Sequence, residues 1–407
     1  MQAKLNRADN PYAPGAGRQP PSLAGRDVLL ENAATDFDRL ARRKPVKGLM
    51  LLGLRGVGKT VLMNRLRAVA NERGLKSIKI EAPEGGKLPA LLGPAMRTLL
   101  YDLDLTKAAG NAVRKGFATL RNFVGTFDVA LGPFSVSVEP APGRADTGDL
   151  ELDLTELLCA IGEAAAEQDT AAVLFIDEVQ YLAPAELAAL VAACHEIAQR
   201  DLPFMFVGAG LPQIAALAGK AKSYAERLFD YPEIGPLDPD AADQAIAEPA
   251  TAEGVAFGPG ALDEVRAATA GYPYFLQEWG YHLWNFAPGS PITAEHVRRV
   301  SPEVVAHLDA SFFRVRFDRL TAAEQRYLRA MAELGDGPYQ TSDIANVLGV
   351  ESPSIATVRR NLITKGMVWS QRHGETAFTV PLFGAYMHRR MPTLEKHVPR
   401  RRRGPPG

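Results

Sequence analysis

Continuous apolar runs alternate with helical patterns along residues 25–236. The runs VKGLMLLG, AAVLFIDE and PFMFVGAG are apolar almost throughout and end at Gly53, Glu178 and Gly210. Such runs are typical of strands covered on both faces, as in a parallel sheet. SIKIE at 77–81 alternates in polarity and predicts a further strand. Apolar residues recur at helical spacing in the stretches 27–43, 61–73, 88–103, 152–168 and 184–200. The pattern predicts an α/β fold with a doubly wound parallel sheet and helices on both faces.

After residue 236, helical spacing dominates the chain. Helical stretches at 240–247, 260–270, 275–285 and 293–300 predict a small helical lid. A helix at 320–334 is followed by the helical stretches TSDIANVLG and SPSIATVRRNLITKGMV. The segment MVWSQRHGETAFTV then predicts a hairpin that turns near Gly374. This order of helices and hairpin predicts a winged helix-turn-helix domain.

Five segments result from these patterns. Residues 1–24 are rich in proline and glycine and predict an extended strap. The α/β core is placed at 25–236, the helical lid at 237–305, the winged-helix domain at 306–392 and a basic disordered tail at 393–407. Within the core, residues 104–148 are less regular, and FSVSV at 134–138 predicts a strand in an insertion or hairpin.

The stretch GLRGVGKT, from Gly53 to Thr60, satisfies the pattern G-x-x-x-x-G-K-[ST] between a predicted strand and a predicted helix. Glycines allow backbone angles and close approaches that a Cβ would prevent. Exposed N–H groups at the start of the following helix attract phosphate. Lys59 would bring a charge to the outer phosphates, and Thr60 would offer its hydroxyl to Mg²⁺. The predicted nucleotide-binding residues are Gly53, Leu54, Arg55, Gly56, Val57, Gly58, Lys59, Thr60, Val61 and Asp177.

Two adjacent carboxylates, Asp177 and Glu178, end the apolar run VLFIDE. The last side chains of a parallel strand lie at the carboxyl edge of the sheet, where ligands bind in open α/β folds. Asp177 would sit in the outer sphere of the Mg²⁺ that Thr60 binds, and Glu178 would orient and deprotonate the water that attacks the γ-phosphate. The alternative is an acidic surface pair that caps the following helix. Adjacent carboxylates favour an ATPase over a kinase, and no Asn-Lys-x-Asp segment indicates guanine recognition.

These residues resemble the AAA+ and STAND ATPases, in particular the group of origin-recognition and archaeal ATPases, over roughly residues 20–300. LAGRD at 23–27 is similar to the box that leads into the adenine pocket of that group. SYAERLF at 223–229 is similar to the segment that carries the arginine finger. The resemblance implies that Arg227 is a catalytic residue that reaches the γ-phosphate of a neighbouring subunit in a homo-oligomer. An ordinary salt bridge at a helix end is the alternative role of Arg227.

Two departures from the AAA+ pattern point to slow hydrolysis. FVGAG at 206–210 ends in Gly-Ala-Gly, where a polar sensor residue is expected. GYPYFLQ at 271–277 carries Gly-x-Pro, as STAND-like ATPases do, in place of a sensor arginine. Gln180 and Gln213 could supply polar contacts instead, although a solvated surface position is the more common role for each. We therefore expect a protein that binds ATP and hydrolyses it slowly, as a switch does.

The second helix of the winged-helix domain has an apolar face formed by Ile355, Val358, Leu362 and Ile363. Its opposite side carries residue types that suit base edges and phosphates in a major groove. Near the wing tip, Arg372 and His373 could touch phosphate or a minor groove. The predicted DNA-binding residues are Thr357, Arg360, Asn361, Thr364 and Arg372.

Charge is unevenly distributed along the chain. Residues 301–407 carry 16 Lys and Arg against 10 Asp and Glu, a net charge of +6, whereas the whole chain carries −1. This basic region favours double-stranded DNA as a partner. A winged helix that contacts protein is the alternative. The run Arg400–Arg403 is either a solvated chain end or a segment that attracts nucleic acid non-specifically.

Composition indicates an ordinary globular protein, with 46% hydrophobic and 23% charged residues. No secretory apolar segment begins in residues 1–10, and the longest apolar region, 204–219, is too short to span a bilayer. The two cysteines cannot build a disulfide framework and suit a reducing cytosol. We therefore expect a cytoplasmic protein without a membrane partner. Its seven histidines show no metal-ligand spacing.

The sequence thus predicts a cytoplasmic ATPase that binds ATP, ADP and Mg²⁺. A helical lid would sense the nucleotide, and a winged helix would couple the nucleotide state to binding of double-stranded DNA. Two alternatives stay open at this point. One is a STAND-like signalling switch whose winged helix contacts protein, and the other is an ATP-dependent helper for DNA transposition or loading.

Overall fold

A computed structural model describes residues 5–15, 17–104, 110–130, 143–335, 337–370, 372 and 374–394. The predicted strand at 134–138, the wing residue His373 and the tail from residue 395 lie outside these ranges. The chain divides into two compact units. One unit is Pro11–Ala252, and the other combines Met1–Asn10 with Glu253–Gly407. No helix in the described ranges is both long and apolar enough to cross a membrane.

The unit Pro11–Ala252 contains a parallel sheet and its flanking helices. The strands are β1 Gly48–Leu52, β2 Lys76–Glu81, β3 Ala172–Asp177, β4 Phe204–Gly210 and β5 Phe229–Asp230. The helices are α1 Asp27–Ala41, α2 Lys59–Glu72, α3 Leu88–Asp104, α4 Asn111–Thr126, α5 Leu150–Glu167, α6 Pro184–Gln199, α7 Ile214–Ala221, α8 Ala225–Leu228 and α9 Pro239–Ala252.

The described strands of this sheet run parallel in the order β2-β3-β4-β1-β5. Glu81 pairs with Asp177, and Leu52 pairs with Gly210. These four residues end their strands, so the register brings the carboxyl ends of β1 to β4 to one edge of the sheet. Because polar loops follow each of these ends, this edge is where a ligand site can form.

Alternate residues of the central strands face opposite layers of helices. Leu174, Ile176 and Phe206 belong to one apolar cluster with residues of α3, α4, α5 and α6. Val173 and Val207 are equally buried but lie outside that cluster. Helix α2, which contacts β2, β3 and β4, covers the other face. The predicted parallel sheet with flanking helices is therefore confirmed, and it fits the α/β fold of a P-loop NTPase.

The second unit begins with helices α10 Ala261–Thr269, α11 Pro273–Phe286 and α12 Ala294–Leu308, which pack on one another. Residues 5–10 lie along α11 and are held there by side chains. Trp284 Nε1 donates to the carbonyl of Asn6 at 2.8 Å, and Asn10 Nδ2 donates to the carbonyl of Tyr281 at 3.0 Å. The start of the predicted strap is therefore part of this unit.

The rest of the second unit holds a small antiparallel sheet and further helices. The helices are α13 Arg314–Phe317, α14 Ala322–Glu333, α15 Thr341–Leu348, α16 Ala356–Thr364 and α17 Phe383–Arg390. The strands are β6 Tyr339–Gln340, β7 Val368–Trp369 and β8 Glu375–Phe378, in the order β6-β8-β7. Buried Arg329 on α14 donates to the carbonyl of Met391 at 2.6 Å and so ties the end of α17 to α14.

Several elements differ from the expectations for the chain. Helix α4 occupies part of the stretch 104–148 that shows no regular pattern, and α17 has no predicted counterpart. Helix α9 is grouped with Pro11–Ala252 rather than with the helices that follow it. One reason is that the Tyr12 hydroxyl bonds to the carbonyl of Ile246 on α9, and another is that Gly25 lies against Ala241. The proposed limit between core and lid at 236/237 therefore differs from the division into compact units.

Candidate functional site

The loop between β1 and α2 is shaped by its glycines. Gly56 and Gly58 have φ angles of 83° and 90°, which L residues with side chains rarely adopt. Gly53 is required for a different reason, since a Cβ there would lie 2.3 Å from the carbonyl oxygen of Ile234. Gly58 is the N-cap of α2 and provides no side-chain cap, so the first N–H groups of this helix face the loop. The loop therefore offers a concave set of backbone donors.

Lys59 begins α2 and is buried, with 7% of its surface exposed. Its Nζ donates to the carbonyls of Gly53 at 2.9 Å and Leu54 at 2.8 Å. Burial lowers the pKa of Lys59 to about 8, while the nearby carboxylates of Glu178 and Asp177 oppose that shift. The ammonium therefore lies inside the loop, beside Asp177 at the end of β3 and Glu178 directly after it.

Asp177 lies at the carboxyl end of β3 with 1% of its surface exposed. Its Oδ1 accepts from the N–H of Glu178 at 3.0 Å, and its Oδ2 lies 3.5 Å from Nζ of Lys79 on β2. Lys79 also donates to Asn64 Oδ1 of α2 at 2.8 Å. A buried carboxylate is costly without a partner, so Lys79 stabilises the charge of Asp177. Nothing in the local sequence marks Lys79 as a partner of Asp177.

Glu178 has a left-handed backbone, with φ 56° and ψ 40°. A non-glycine residue in this region is strained, and such residues occur often at functional sites. The side-chain amide of Gln180 donates to Glu178 Oε2, and Gln180 Oε1 accepts from the N–H of Leu211 at 3.2 Å. A Cβ at Gly210 would lie 2.6 Å from Gln180 Oε1. Gln180 therefore links the carboxylate of Glu178 to the end of β4 and is not a solvated surface residue.

Two further contacts surround the loop. Arg55 Nη2 donates to the hydroxyl of Tyr181 at 2.6 Å, while Arg55 Nε is buried and has no hydrogen-bond partner within the described ranges. The strap passes the start of α2, where the carbonyl of Gly17 accepts from Asn64 Nδ2 at 3.4 Å. A Cβ at Gly17 would lie 3.3 Å from the methyl group of Thr60. The strap thus approaches one of the residues predicted to hold Mg²⁺.

The segment predicted to lead into an adenine pocket packs near the start of α9. Arg26 Nη2 donates to the carbonyl of Gly235 at 2.5 Å. Burial lowers the pKa of Arg26, and Asp238 opposes the shift. The role of this segment in binding adenine stays a prediction.

Arg227 on α8 lies at the opposite edge of the sheet from the phosphate loop. It lines a groove with Gly48 and Phe204, which begin β1 and β4. Its side chain is exposed and makes no hydrogen bond or ion pair with any residue that the structure describes. The alternative of a salt bridge at the helix end is therefore not observed. Arg227 cannot serve its own loop from this edge, and its role toward a neighbouring subunit stays a prediction.

Helix α16 has one buried side and one exposed side. Leu362 is buried, whereas the predicted DNA contacts Thr357, Arg360, Asn361 and Thr364 are exposed. Arg372, between β7 and β8, is exposed as well. Arg359 has another role, because Nε donates to Thr376 Oγ1 at 2.8 Å and Nη2 donates to Ser370 Oγ and the carbonyl of Glu375, both at 2.9 Å. Arg359 ties α16 to the hairpin β7-β8.

The chemistry of the donors at the carboxyl edge fits Mg²⁺. Thr60 would supply a hydroxyl oxygen and Asp177 a carboxylate oxygen, and oxygen atoms are the hard ligands that this ion prefers. Magnesium usually keeps several waters and the phosphate oxygens of its nucleotide as further ligands. Lys79 competes with an ion for Asp177, because its ammonium already faces Oδ2.

Comparisons with known proteins agree with this arrangement. Residues 22–207 match a family described as the AAA ATPase domain. Residues 310–387 match a domain of unknown function, DUF8462. A search of the curated proteins found no match. The match over residues 22–207, together with the parallel sheet, supports an AAA+ P-loop ATPase in this part of the chain.

Three solved structures are similar to this chain over most of its length. The Walker-type ATPase PABY2304 of Pyrococcus abyssi is 17% identical, with a TM-score of 0.56, over 91% of this chain and 99% of that one. This likeness shows the fold. The Orc1 protein of Aeropyrum pernix in complex with DNA is 15% identical, with a TM-score of 0.46, over 91% and 94% of the two chains. The RuvB Holliday junction branch migration motor of Thermotoga maritima is 17% identical, with a TM-score of 0.45, over 94% and 99%.

Proposed function

We propose that this protein binds ATP with Mg²⁺ in the loop Gly53–Thr60 and hydrolyses it slowly. The observation that carries the proposal is the position of Lys59, whose ammonium is buried in the glycine loop beside Asp177 and Glu178. A buried ammonium between backbone donors and carboxylates is suited to the outer phosphates of a nucleotide and its metal. Thr60 and Asp177 would hold Mg²⁺, which would neutralise charge on the phosphates.

Glu178 is the candidate general base for the attacking water. Its carboxylate is held by Gln180, which is anchored on the backbone of Leu211. This hydrogen bond holds the carboxylate of Glu178 in a defined orientation just after β3. No polar side chain is available from Gly208, Ala209 and Gly210, which end β4. A site with an oriented base but without a polar group from this strand is consistent with slow hydrolysis.

The nucleotide assignment is tested with two variants. Lys59→Ala is expected to lose ATP binding, because no other ammonium lies inside the loop among the described residues. Glu178→Gln is expected to bind ATP with near-normal affinity and to lose turnover by roughly 10²-fold or more. Equilibrium binding of a fluorescent ATP analogue and phosphate release measure the two effects. ATP binding by Lys59→Ala at the wild-type level would refute the assignment.

We further propose that residues 306–392 form a winged-helix domain that binds double-stranded DNA in response to the nucleotide state. The support is the order of α14, α15, α16 and the hairpin β7-β8, with polar residues exposed on α16. Arg360 and Asn361 have the side-chain chemistry for base edges and phosphates. The domain limits 25–236 and 237–305 for ATPase core and lid are part of the same proposal.

Salt dependence of binding distinguishes DNA from protein as the partner. Binding to a mixed-sequence duplex is expected to weaken steeply between low and moderate salt, with a slope that reflects several phosphate contacts. Arg360→Ala is expected to weaken binding and reduce the slope by about 1. Arg314→Ala, which removes the same charge from a residue paired with Asp318 at 3.6 Å, is the matched control. No duplex binding at low salt would favour a STAND-like switch that contacts protein.

The homo-oligomer is a part of the proposal that rests on resemblance, and an ATP-dependent helper for DNA transposition or loading stays an alternative function. Arg227 would act on the nucleotide of a second copy, since it lies away from its own loop. Sedimentation with ATP, with ADP and without nucleotide, each with and without duplex DNA, tests whether ATP assembles the chain. Arg227→Ala is expected to lower turnover without changing ATP affinity if the copies share sites.

A further inference from the structure

Three potential metal ligands meet in the second unit, apart from the phosphate loop. Glu278 and His282 are one helical turn apart on α11, and His307 is near the end of α12. One ligand atom from each of these residues lies within 4.8 Å of the other two. A metal-ligand motif is not visible in the sequence, because His307 is far along the chain from the pair on α11. The packing of α11 against α12 creates the cluster.

The carboxylate of Glu278 is arranged as a ligand would be. Glu278 is buried, with 5% of its surface exposed. The hydroxyl of Tyr274 donates to Oε1 at 2.7 Å. Oε2 lies 4.0 Å from Nε2 of His282, which is too long for a hydrogen bond. Tyr274 therefore fixes the carboxylate through one oxygen, and the other oxygen faces the imidazole at a distance that leaves room for an ion between them.

The two imidazoles complete the cluster. The ring centroids of His282 and His307 lie 5.2 Å apart. A neutral imidazole has the lone pair that a metal needs. His307 is exposed, so an ion can enter from the solvent side.

We propose that Glu278, His282 and His307 bind a transition-metal ion of the zinc class and thereby link α11 to α12. Two imidazoles and one carboxylate suit Zn²⁺ and Co²⁺. In a tetrahedral zinc site the ligand atoms are about 3.4 Å apart, so the three side chains must close by about 1 Å around the ion. Rotation of the exposed His307 side chain can supply most of that movement. A water would take the fourth position.

Cobalt titration tests this site directly, because four-coordinate Co²⁺ absorbs visible light far more strongly than six-coordinate Co²⁺. The full-length chain is stripped with a chelator and kept free of nucleotide. We use the Asp177→Asn background, so that the predicted Mg²⁺ site at the phosphate loop lacks its carboxylate. One equivalent of Co²⁺ is expected to give the intense absorption, and Zn²⁺ is expected to displace it, in line with the relative affinities of the two ions.

Single substitutions identify the ligands. His307→Ala and Glu278→Gln are each expected to weaken Zn²⁺ binding by at least ~10-fold and to abolish the intense cobalt absorption. His307 is exposed, and glutamine keeps the shape of Glu278 and an acceptor for Tyr274, so both variants are expected to melt like the parent without metal. His195→Asn, which removes a histidine stacked on Tyr224 in the other unit, is the matched control and should bind as the parent does.

Two results would overturn the proposal. The first is a parent protein that shows no intense cobalt absorption at several equivalents of Co²⁺. The second is a His307→Ala variant whose titration coincides with that of the parent. Neither result depends on ATP binding, so failure of this site leaves the nucleotide assignment untouched.

Discussion

The side-chain amide of Gln180 donates to the carboxylate of Glu178, so the candidate general base is held by a residue two positions further along the chain. Gln180 is itself anchored, because its Oε1 accepts from the backbone N–H of Leu211 just beyond β4. The end of β4 therefore affects Glu178 through this glutamine, although β4 supplies no polar side chain of its own.

Gln180→Ala is expected to lower the turnover number about 10-fold with little change in ATP affinity, because Glu178 loses its orientation but not its basicity. Gly210→Ala should give the same phenotype, since the added Cβ would lie 2.6 Å from Gln180 Oε1 and displace it. Steady-state phosphate release gives both parameters. Equal turnover numbers for wild type and Gln180→Ala would show that this contact does not position the base.

ATP binding should depend on pH through Lys59. Its pKa in the free protein is lowered to about 8 by burial, so the ammonium is present below pH 8 and is lost above it. The triphosphate is attracted by the positively charged, protonated form of Lys59 and not by its neutral amine. Affinity is therefore expected to fall by up to about tenfold per pH unit above pH 8, and binding near pH 8 should take up protons.

Calorimetry in two buffers of different ionisation enthalpy measures this proton uptake. Lys59→Arg is the control, because a guanidinium stays charged across the range. Its affinity will be lower, but it should show no comparable loss between pH 8 and pH 9. Wild-type affinity that is constant from pH 7 to pH 9 would contradict this role of Lys59.

Gly53→Ala should destabilise the first unit. The added Cβ would lie 2.3 Å from the carbonyl oxygen of Ile234 and 2.9 Å from Val57, so the segment after β5 must move. We expect a loss of about 2 kcal/mol in the free energy of unfolding, together with weaker ATP binding. Gly219→Ala is the control, because nothing lies near its Cβ and it is within α7. That variant should be as stable as wild type or more stable by ~0.5 kcal/mol.

Lys79→Met is expected to reduce the free energy of unfolding by roughly 2 kcal/mol in the absence of nucleotide and metal, because the buried charge of Asp177 loses its partner. Mg²⁺ with ATP should restore part of the lost free energy of unfolding, since the ion would interact with the same carboxylate of Asp177. Denaturant unfolding with and without Mg²⁺ and ATP measures both effects. Lys76→Met on the same strand is the control, and an equal loss there would show that the effect is not specific to Asp177.

Substitution of Arg359 should lower the stability of the fold, whereas substitution of Arg360 should leave it unchanged. Arg359→Ala removes three hydrogen bonds between α16 and the hairpin, so we expect a loss of about 2 kcal/mol in the free energy of unfolding. Arg360→Ala changes an exposed side chain and should leave stability within ~0.5 kcal/mol. Thermal melting of the two variants provides the comparison. A fully stable Arg359→Ala variant would mean that the hairpin does not depend on this arginine.

The sequence by itself determined the α/β core and its phosphate loop. Apolar runs that end in glycine or in Asp177 and Glu178 are typical of strands covered on both faces in a parallel sheet, which brings their carboxyl ends together. Gly53 and Gly58 were recognisable from the spacing of the phosphate-loop motif, and the positive φ angles of Gly56 and Gly58 are a local requirement of that loop. These signals are local in the chain, so reading them needs no knowledge of distant contacts.

Tertiary structure alone decided the partners of these residues. Lys79 on β2 faces Asp177, and Leu211 just beyond β4 anchors Gln180, and both contacts depend on strand order. Arg359 and Arg360 are adjacent in sequence and equal in charge, yet only the packing of α16 on the hairpin distinguishes a structural arginine from an exposed one. The cluster of Glu278, His282 and His307 forms because two helices pack together. Periodicity within either helix carries no information about that contact.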